Sequence, residues 1–181
     1  MQRSKRRPRF SLLTCLEYGE VYFGDHAATL LPNTAQVEQL GLRWSSYTGR
    51  IMVASGSLTF EPDDNDAPLL RLLLRDVKSP LVEWAAMPEG VPPGFQITCD
   101  SISARREKFE PLFAVRLADA ASLLRFSLQH AQPADFVRLL NGVLEILRQP
   151  HAATRLQALH QEQELSKTFD QTALLDPLEL Q

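Results

Sequence analysis

The clearest pattern of apolar and polar positions starts at Gly49. Ile51 and Val53 alternate with Arg50 and Met52, Ser55-Gly56-Ser57 supplies a tight turn, and Leu58 and Phe60 alternate with Ser57, Thr59 and Glu61. Alternation of period two on both sides of a small-residue turn predicts a β-hairpin. Pro62-Asp63-Asp64-Asn65-Asp66 follows as a turn cluster, since Asp and Asn side chains hydrogen-bond their own backbone. Leu70, Leu72 and Leu74 then share one strand face, with Arg71 and Arg75 on the other. Further short strands are expected at residues 81–86 and 95–99. The loop between them holds Pro88, Pro92 and Pro93, which cannot donate to a sheet ladder. Arg105-Arg106-Glu107-Lys108 reads as a hairpin tip, and strands follow around 113–117 and 124–128.

Upstream, residues 10–31 mix two periods and fit either two short strands or a strand and a helix. Pro32 and Asn33 end that segment, and a polar connection runs to about Tyr47. Downstream the period changes. Phe136, Leu140, Val143 and Leu147 fall at i, i+4, i+7 and i+11, with Leu139, Leu144 and Ile146 widening the stripe. This is an amphipathic helix whose apolar face covers a sheet. Pro133 suits its first position and Asp135 the positive end of its dipole. Gly142 inside it costs roughly 1 kcal/mol against Ala, which points to a position where packing demands a small residue. Pro150 ends this helix, and a polar, weakly amphipathic one is expected over 152–165.

Short antiparallel strands followed by one capping helix describe an α+β domain. The expected architecture is a pleckstrin-homology-like antiparallel β-sandwich or barrel of about seven strands, capped by a C-terminal helix with an additional helix after it. A lipocalin-like barrel would need eight strands before its helix. The chain divides into a basic flexible leader (1–9), the folded domain (10–149) and a helical extension and tail (150–181) that docks loosely.

Composition narrows the function. Of 181 residues, 44% are hydrophobic, which excludes wholesale disorder. The longest apolar stretch is short and broken by Arg71, whereas a membrane-spanning helix needs ~20 residues. No apolar core and cleavage site follow the basic start, so no secretion signal is read. The two cysteines, Cys15 and Cys99, make neither a CxxC nor a disulfide framework, so a reduced, cytoplasmic chain is expected. Arg3, Lys5, Arg6, Arg7 and Arg9 concentrate five positive charges in the first nine residues. The remainder carries 14 basic against 22 acidic residues, a net of −8. That is not the basic face of a nucleic-acid domain. The leader instead suits an anionic membrane surface or an acidic partner.

The same segments carry a family resemblance. Arg9-Phe10-Ser11-Leu12-Leu13, Glu17-Tyr18 and Tyr22-Phe23 resemble the opening of BEACH-family proteins, and so do Gly49-Arg50-Ile51, Leu58-Thr59-Phe60-Glu61-Pro62-Asp63 and Leu72-Leu73-Leu74-Arg75-Asp76. A weaker echo stands at Ser166-Lys167-Thr168-Phe169-Asp170. The resemblance is dense only between Gly49 and Asp76, and its wording is shared with GRAM-type domains. It implies a GRAM-type pleckstrin-homology-like domain in a scaffold of membrane trafficking or receptor signalling, in contact with phosphoinositides or membranes. The first hairpin lacks a Lys followed by a spaced Arg-x-Arg, which weighs against tight inositol-phosphate recognition.

No catalytic constellation is visible. His26, His130, His151 and His160 are scattered, with no HExxH or paired spacing for a metal. Cys15 and Cys99 sit in apolar strand patterns as small core residues. Asp63, Asp64 and Asp66 lack the glycine and distal glutamate of a calcium loop. The expectation is therefore no enzyme, no cofactor and no metal. Candidate membrane contacts are the five leader residues together with Arg50, Arg71 and Arg75. The last two are about 13 Å apart on one strand face at ~3.3 Å per residue. Surface ion pairing is the ordinary role of such arginines. Arg43 and Lys78, and Arg105, Arg106 and Lys108 at the tip, extend the basic set. Trp84, alternating with charge, is the candidate partner anchor beside Trp44, although such residues more often pack the core. The leading expectation is a non-catalytic adaptor that works through protein contacts with weak anionic-membrane contact and no nucleic acid. The alternatives are a phosphoinositide-binding domain, and a small-ligand barrel or unrecognised hydrolase. An interior filled by Leu70, Leu72, Leu74, Phe113 and Phe136 favours the adaptor over the barrel.

Overall fold

The computed structural model describes residues 16, 19–43, 45–64, 66–84, 93–105, 112–129 and 133–174, the last seven by backbone alone. Among the described residues, nine strands form one antiparallel sheet. They are β1 (Tyr22–Leu30), β2 (Tyr47–Ala54), β3 (Ser57–Pro62), β4 (Leu69–Leu73), β5 (Val82–Trp84), β6 (Gly94–Thr98), β7 (Ser101–Arg105), β8 (Phe113–Arg116) and β9 (Leu123–Leu128). Their spatial order is β5-β6-β9-β1-β2-β3-β4-β7-β8. Three helices join them: α1 (Thr34–Leu40), α2 (Pro133–Leu147) and α3 (Ala152–Leu174). Strands β6 and β7 are separated by only Cys99 and Asp100, yet they lie on opposite sides of β1, so the sheet curls on itself. A Val77–Cys99 bridge and a Lys78 N–H to Thr98 carbonyl bond of 2.9 Å fasten that corner.

The β2–β3 hairpin forms as its alternation requires. Ser55 and Gly56 make the connection, and Val53 pairs with Leu58, Ile51 with Phe60 and Arg50 with Glu61. Ser55 also ties the sheet to its entry, since its Oγ accepts the Val21 N–H at 2.9 Å. Strand β1 is shared between two neighbours. It pairs with β2 along its length and with β9 through Ala28–Leu128 and Leu30–Phe126.

The strand count exceeds the seven expected. Ser101–Arg105 holds one β-branched residue, Ile102, among Ser, Ala and Arg, so propensity announces it only weakly. The polar connection before Tyr47 contains α1. Asn33 caps it reciprocally with Gln36: the Asn33 side chain accepts the Gln36 N–H at 2.9 Å and the Gln36 side chain accepts the Asn33 N–H at 3.0 Å. Gly41 closes it in the left-handed region, at φ 61°. Gln36 is itself buried, and its Nε2 donates to the Ala121 and Leu123 carbonyls. It fastens α1 to a 3-10 turn, Asp119–Ala121, just before β9.

The interior is filled by side chains. The Phe95 and Phe126 rings stack at 5.4 Å, Phe60 meets Phe126 at 5.5 Å and Phe95 meets Phe136 at 4.7 Å. Leu70, Leu72, Leu74, Leu140 and Val143 are buried with them. Helix α2 thus lays its stripe across the sheet. Phe113 departs from the expected interior. It sits on the terminal strand β8 and is 58% exposed. Gly142 also departs, because a side-chain carbon there would meet nothing within 4 Å. Close packing therefore does not explain it. Helix α3 runs nine residues past the expected end at 165. It docks through Leu156, which is buried, and through Ala152 and Leu159, which are partly so. No helix among the described residues is long and apolar enough to cross a membrane.

Candidate functional site

Two surfaces concentrate polar chemistry. The first is the outer face of β2, β3 and β4, opposite the core. Strand alternation puts Arg50, Met52, Ser57, Thr59, Glu61 and Arg71 on it. Arg50 and Glu61 are register partners: Nε and Nη2 of the guanidinium donate to Glu61 Oε2 at 3.0 and 2.8 Å, and Nη1 reaches Asp25 Oδ2 at 3.4 Å. Arg71 donates to Glu20 Oε2 at 3.2 Å, while the Ser57 hydroxyl donates to the other Glu20 oxygen at 2.8 Å. The Arg71 and Glu20 side chains keep only 9% and 8% of their exposure. Leu16 and Leu112 pack over Met52 and Leu69 on the same sheet. The face therefore sets two guanidinium groups against three carboxylates, with the innermost pair out of water.

The second surface is a cleft of about 430 Å³ between β1, α2 and α3. Phe23, Leu139 and Leu159 supply its apolar lining, and His26, Glu162, Gln163, Ser166 and Lys167 its polar one. The His160 ring of α3 meets Phe23 edge-on at 5.9 Å, and His26 meets Phe136 edge-on at 5.1 Å. Burial pushes the His26 imidazole below its ordinary value; Asp25 opposes that shift and Lys167 adds to it.

No group of metal-ligating side chains occurs among the described residues. Cys99 is buried, and desolvation pushes its thiol up to about 12, so it is inert as a nucleophile. The family described as FAN protein N-terminal PH domain matches residues 1–165. The chain belongs to that family. A solved structure, the Vps36 N-terminal PH domain, is similar at 16% identity and a TM-score of 0.47, covering 73% of this chain and 84% of that one.

In this FAN-type PH domain the expected contact residues separate. Arg50 and Arg71 come together on the outer face, each against carboxylates. Arg71 is buried, so the exposed basic strip read from the sequence does not include it. Arg75 does not share its strand. It lies in a 3-10 turn, Leu74–Asp76, with 75% of its side chain exposed. Trp84 is half-buried on β5 and lies over β6. A side-chain carbon at Gly94 would stand 2.7 Å from its Cζ2 and 2.8 Å from Ser127 Cα, so only glycine lets β6 pass there. Arg43 pairs with Asp66 at 3.0 Å, and Lys78 pairs with Asp100. The acidic turn uses Asp64 to accept the Asp66 N–H at 2.9 Å. Arg3, Lys5, Arg6, Arg7, Arg9, Trp44, Arg106, Lys108, Cys15 and His130 lie outside the described residues.

Sequence reading passes over the carboxylates that neutralise these arginines. Glu61 is recoverable, because the hairpin register sets it opposite Arg50. Glu20 is not, since it stands 51 positions from Arg71 with no periodic link.

The PH domain's His26 predicts a pH dependence with a definite sign. Its folded-state pKa lies below the ordinary 6.5, so the unfolded chain takes up more protons as pH falls through that value. Its contribution is fully present above pH 6.5 and is lost progressively below it, down to the folded-state pKa. Thermal melts of the wild type and of His26→Asn, from about pH 7.5 to about pH 5.5, test this across the imidazole range. The wild type is expected to lose more of its melting temperature on acidification; equal losses would rule out His26 as the cause.

Proposed function

We propose that this PH domain is a non-catalytic adaptor of a BEACH-type trafficking or signalling protein. It works in the cytoplasm and at membrane surfaces, through protein contacts with weak attachment to anionic lipid. PH domains are protein- and lipid-interaction modules and are generally without catalysis. The observation that carries the reading is the outer face, where Arg50 and Arg71 are each held by carboxylates. A headgroup phosphate recruited to them would compete with Glu61, Asp25 and Glu20 for the same donors. Lipid attraction is left to the leader, whose five cations each supply about 1 kcal/mol near an anionic leaflet. The acidic remainder of the chain opposes them only within a Debye length of ~8 Å.

The competing function is phosphoinositide recognition by the folded domain. Liposome flotation separates the two. Replacing Arg3, Lys5, Arg6, Arg7 and Arg9 with Gln is expected to abolish weak, salt-sensitive binding to anionic vesicles, whereas Arg75→Gln changes it little. Binding that survives the leader replacement and prefers phosphoinositide over phosphatidylserine would establish a headgroup site in the fold. Arg71→Ala is the wrong probe here, because it disturbs a buried pair.

A further inference from the structure

The curled sheet has two terminal strands, and they are finished differently. At the β5 end Asn141 of α2 clamps the residue before the strand: its Oδ1 accepts the Leu81 N–H at 2.7 Å and its Nδ2 donates to the Leu81 carbonyl at 3.1 Å. At the β8 end no such clamp occurs among the described residues. The Leu117 N–H donates to the Asp100 carbonyl at 2.8 Å, which fixes the phase of the β7–β8 ladder. Antiparallel alternation then turns the backbone groups of Phe113 and Val115 toward β7 and those of Ala114 and Arg116 outward. Two N–H and two C=O groups therefore line an open edge.

The side chains beside that edge have opposite characters on the two faces. Val115 and its β7 neighbours Ile102 and Ala104 belong to the core or pack against it. Phe113 shares their face at the rim and is more than half exposed. Ala114 and Arg116 occupy the other face and are exposed. An exposed apolar edge strand is a template for a further strand, and proteins ordinarily blunt it.

We propose that β8 receives an extended peptide segment of a protein partner as a tenth, antiparallel strand. Read along the peptide, an acidic residue faces Arg116, an apolar one Val115, any residue Ala114 and a second apolar one Phe113. The apolar pair continues the core past its rim, and the carboxylate answers the Arg116 charge. This inference rests on the adaptor reading and gives it a partner chemistry. A second copy fits the edge less well. Four residues span about 13 Å, and two such edges bury far less than the ~1,200 Å² of a stable interface. A two-fold axis through Val115 also sets the two Arg116 side chains on a diagonal about 7–8 Å apart.

The test uses the full 181-residue chain and a fluorescent peptide containing Glu-Val-Thr-Val, read by anisotropy and amide hydrogen exchange. Saturable binding below about 1 mM, with slowed exchange at the Ala114 and Arg116 amides, is expected. Ala114→Pro removes an outward donor and no bond to β7, so it is expected to weaken binding at least tenfold while the melt is retained. Arg116→Glu is expected to reject this peptide and accept its Lys-Val-Thr-Val counterpart. No binding by the wild type overturns the proposal, as does a folded Ala114→Pro that binds normally or a failed charge exchange. Sedimentation showing a dimer that Ala114→Pro dissociates would give the edge to a second copy and overturn it too. The liposome experiment is independent: phosphoinositide-specific binding would sink the adaptor reading with the peptide result intact, and a silent peptide would sink only the edge.

Discussion

Arg71→Ala will destabilise the domain by about 3–5 kcal/mol, and Glu20→Ala by a similar amount. Each substitution breaks an ion pair whose two side chains have less than a tenth of their exposure. Glu20 also accepts the Ser57 hydroxyl, so its loss strips a second polar group on β3. Combining Arg71→Met with Glu20→Leu removes both charges and refills the volume, and most of the single-variant loss is expected to return. Urea denaturation of the three variants measures it. Single losses below about 1 kcal/mol would mean the pair behaves as an exposed one. The comparison bears on function as well, since it shows Arg71 holding the sheet rather than waiting for an anion.

Leu140→Ala is expected to cost about 2–5 kcal/mol, the range for emptying a buried leucine site. Leu140 has no exposure and lies on the same α2 stripe as Phe136, whose ring meets Phe95 in the sheet. The denaturation midpoint should fall with the slope unchanged. An unchanged midpoint would make α2 peripheral, against its burial.

What the sequence revealed and what it hid follow from the physics of each segment. Hairpin β2–β3 was legible because a local turn and two alternating runs agree. Helix α2 was legible because its stripe is long. Helix α1 is only seven residues, too short for a periodic signal, although its Asn33–Gln36 cap stands in the sequence. Arg71 keeps its expected face but not its expected exposure, because alternation assigns a face and not a depth. A polar position is exposed when a sheet has one solvated face; here the second face of β3 and β4 is buried as well. Phe113 shows the same limit in reverse: its face is the core face, yet at the rim there is little to cover it. Pairings such as Glu20 with Arg71 depend on chain closure that no local pattern encodes.

Strand β1 has one neighbour close at hand in the chain and the other a hundred residues away, since Ala28 meets Leu128. On a ribosome this separation becomes time. At about 5–20 residues per second, β2 is available to β1 within a few seconds, whereas β9 follows only about 5–20 s later, and the sealing helix α2 later still. The meander β1–β4 can assemble early, but its inner edge must wait for β9. For that interval the nascent chain exposes a strand that ends in the interior of the sheet, and a slow codon tract between β4 and β9 would prolong the exposure.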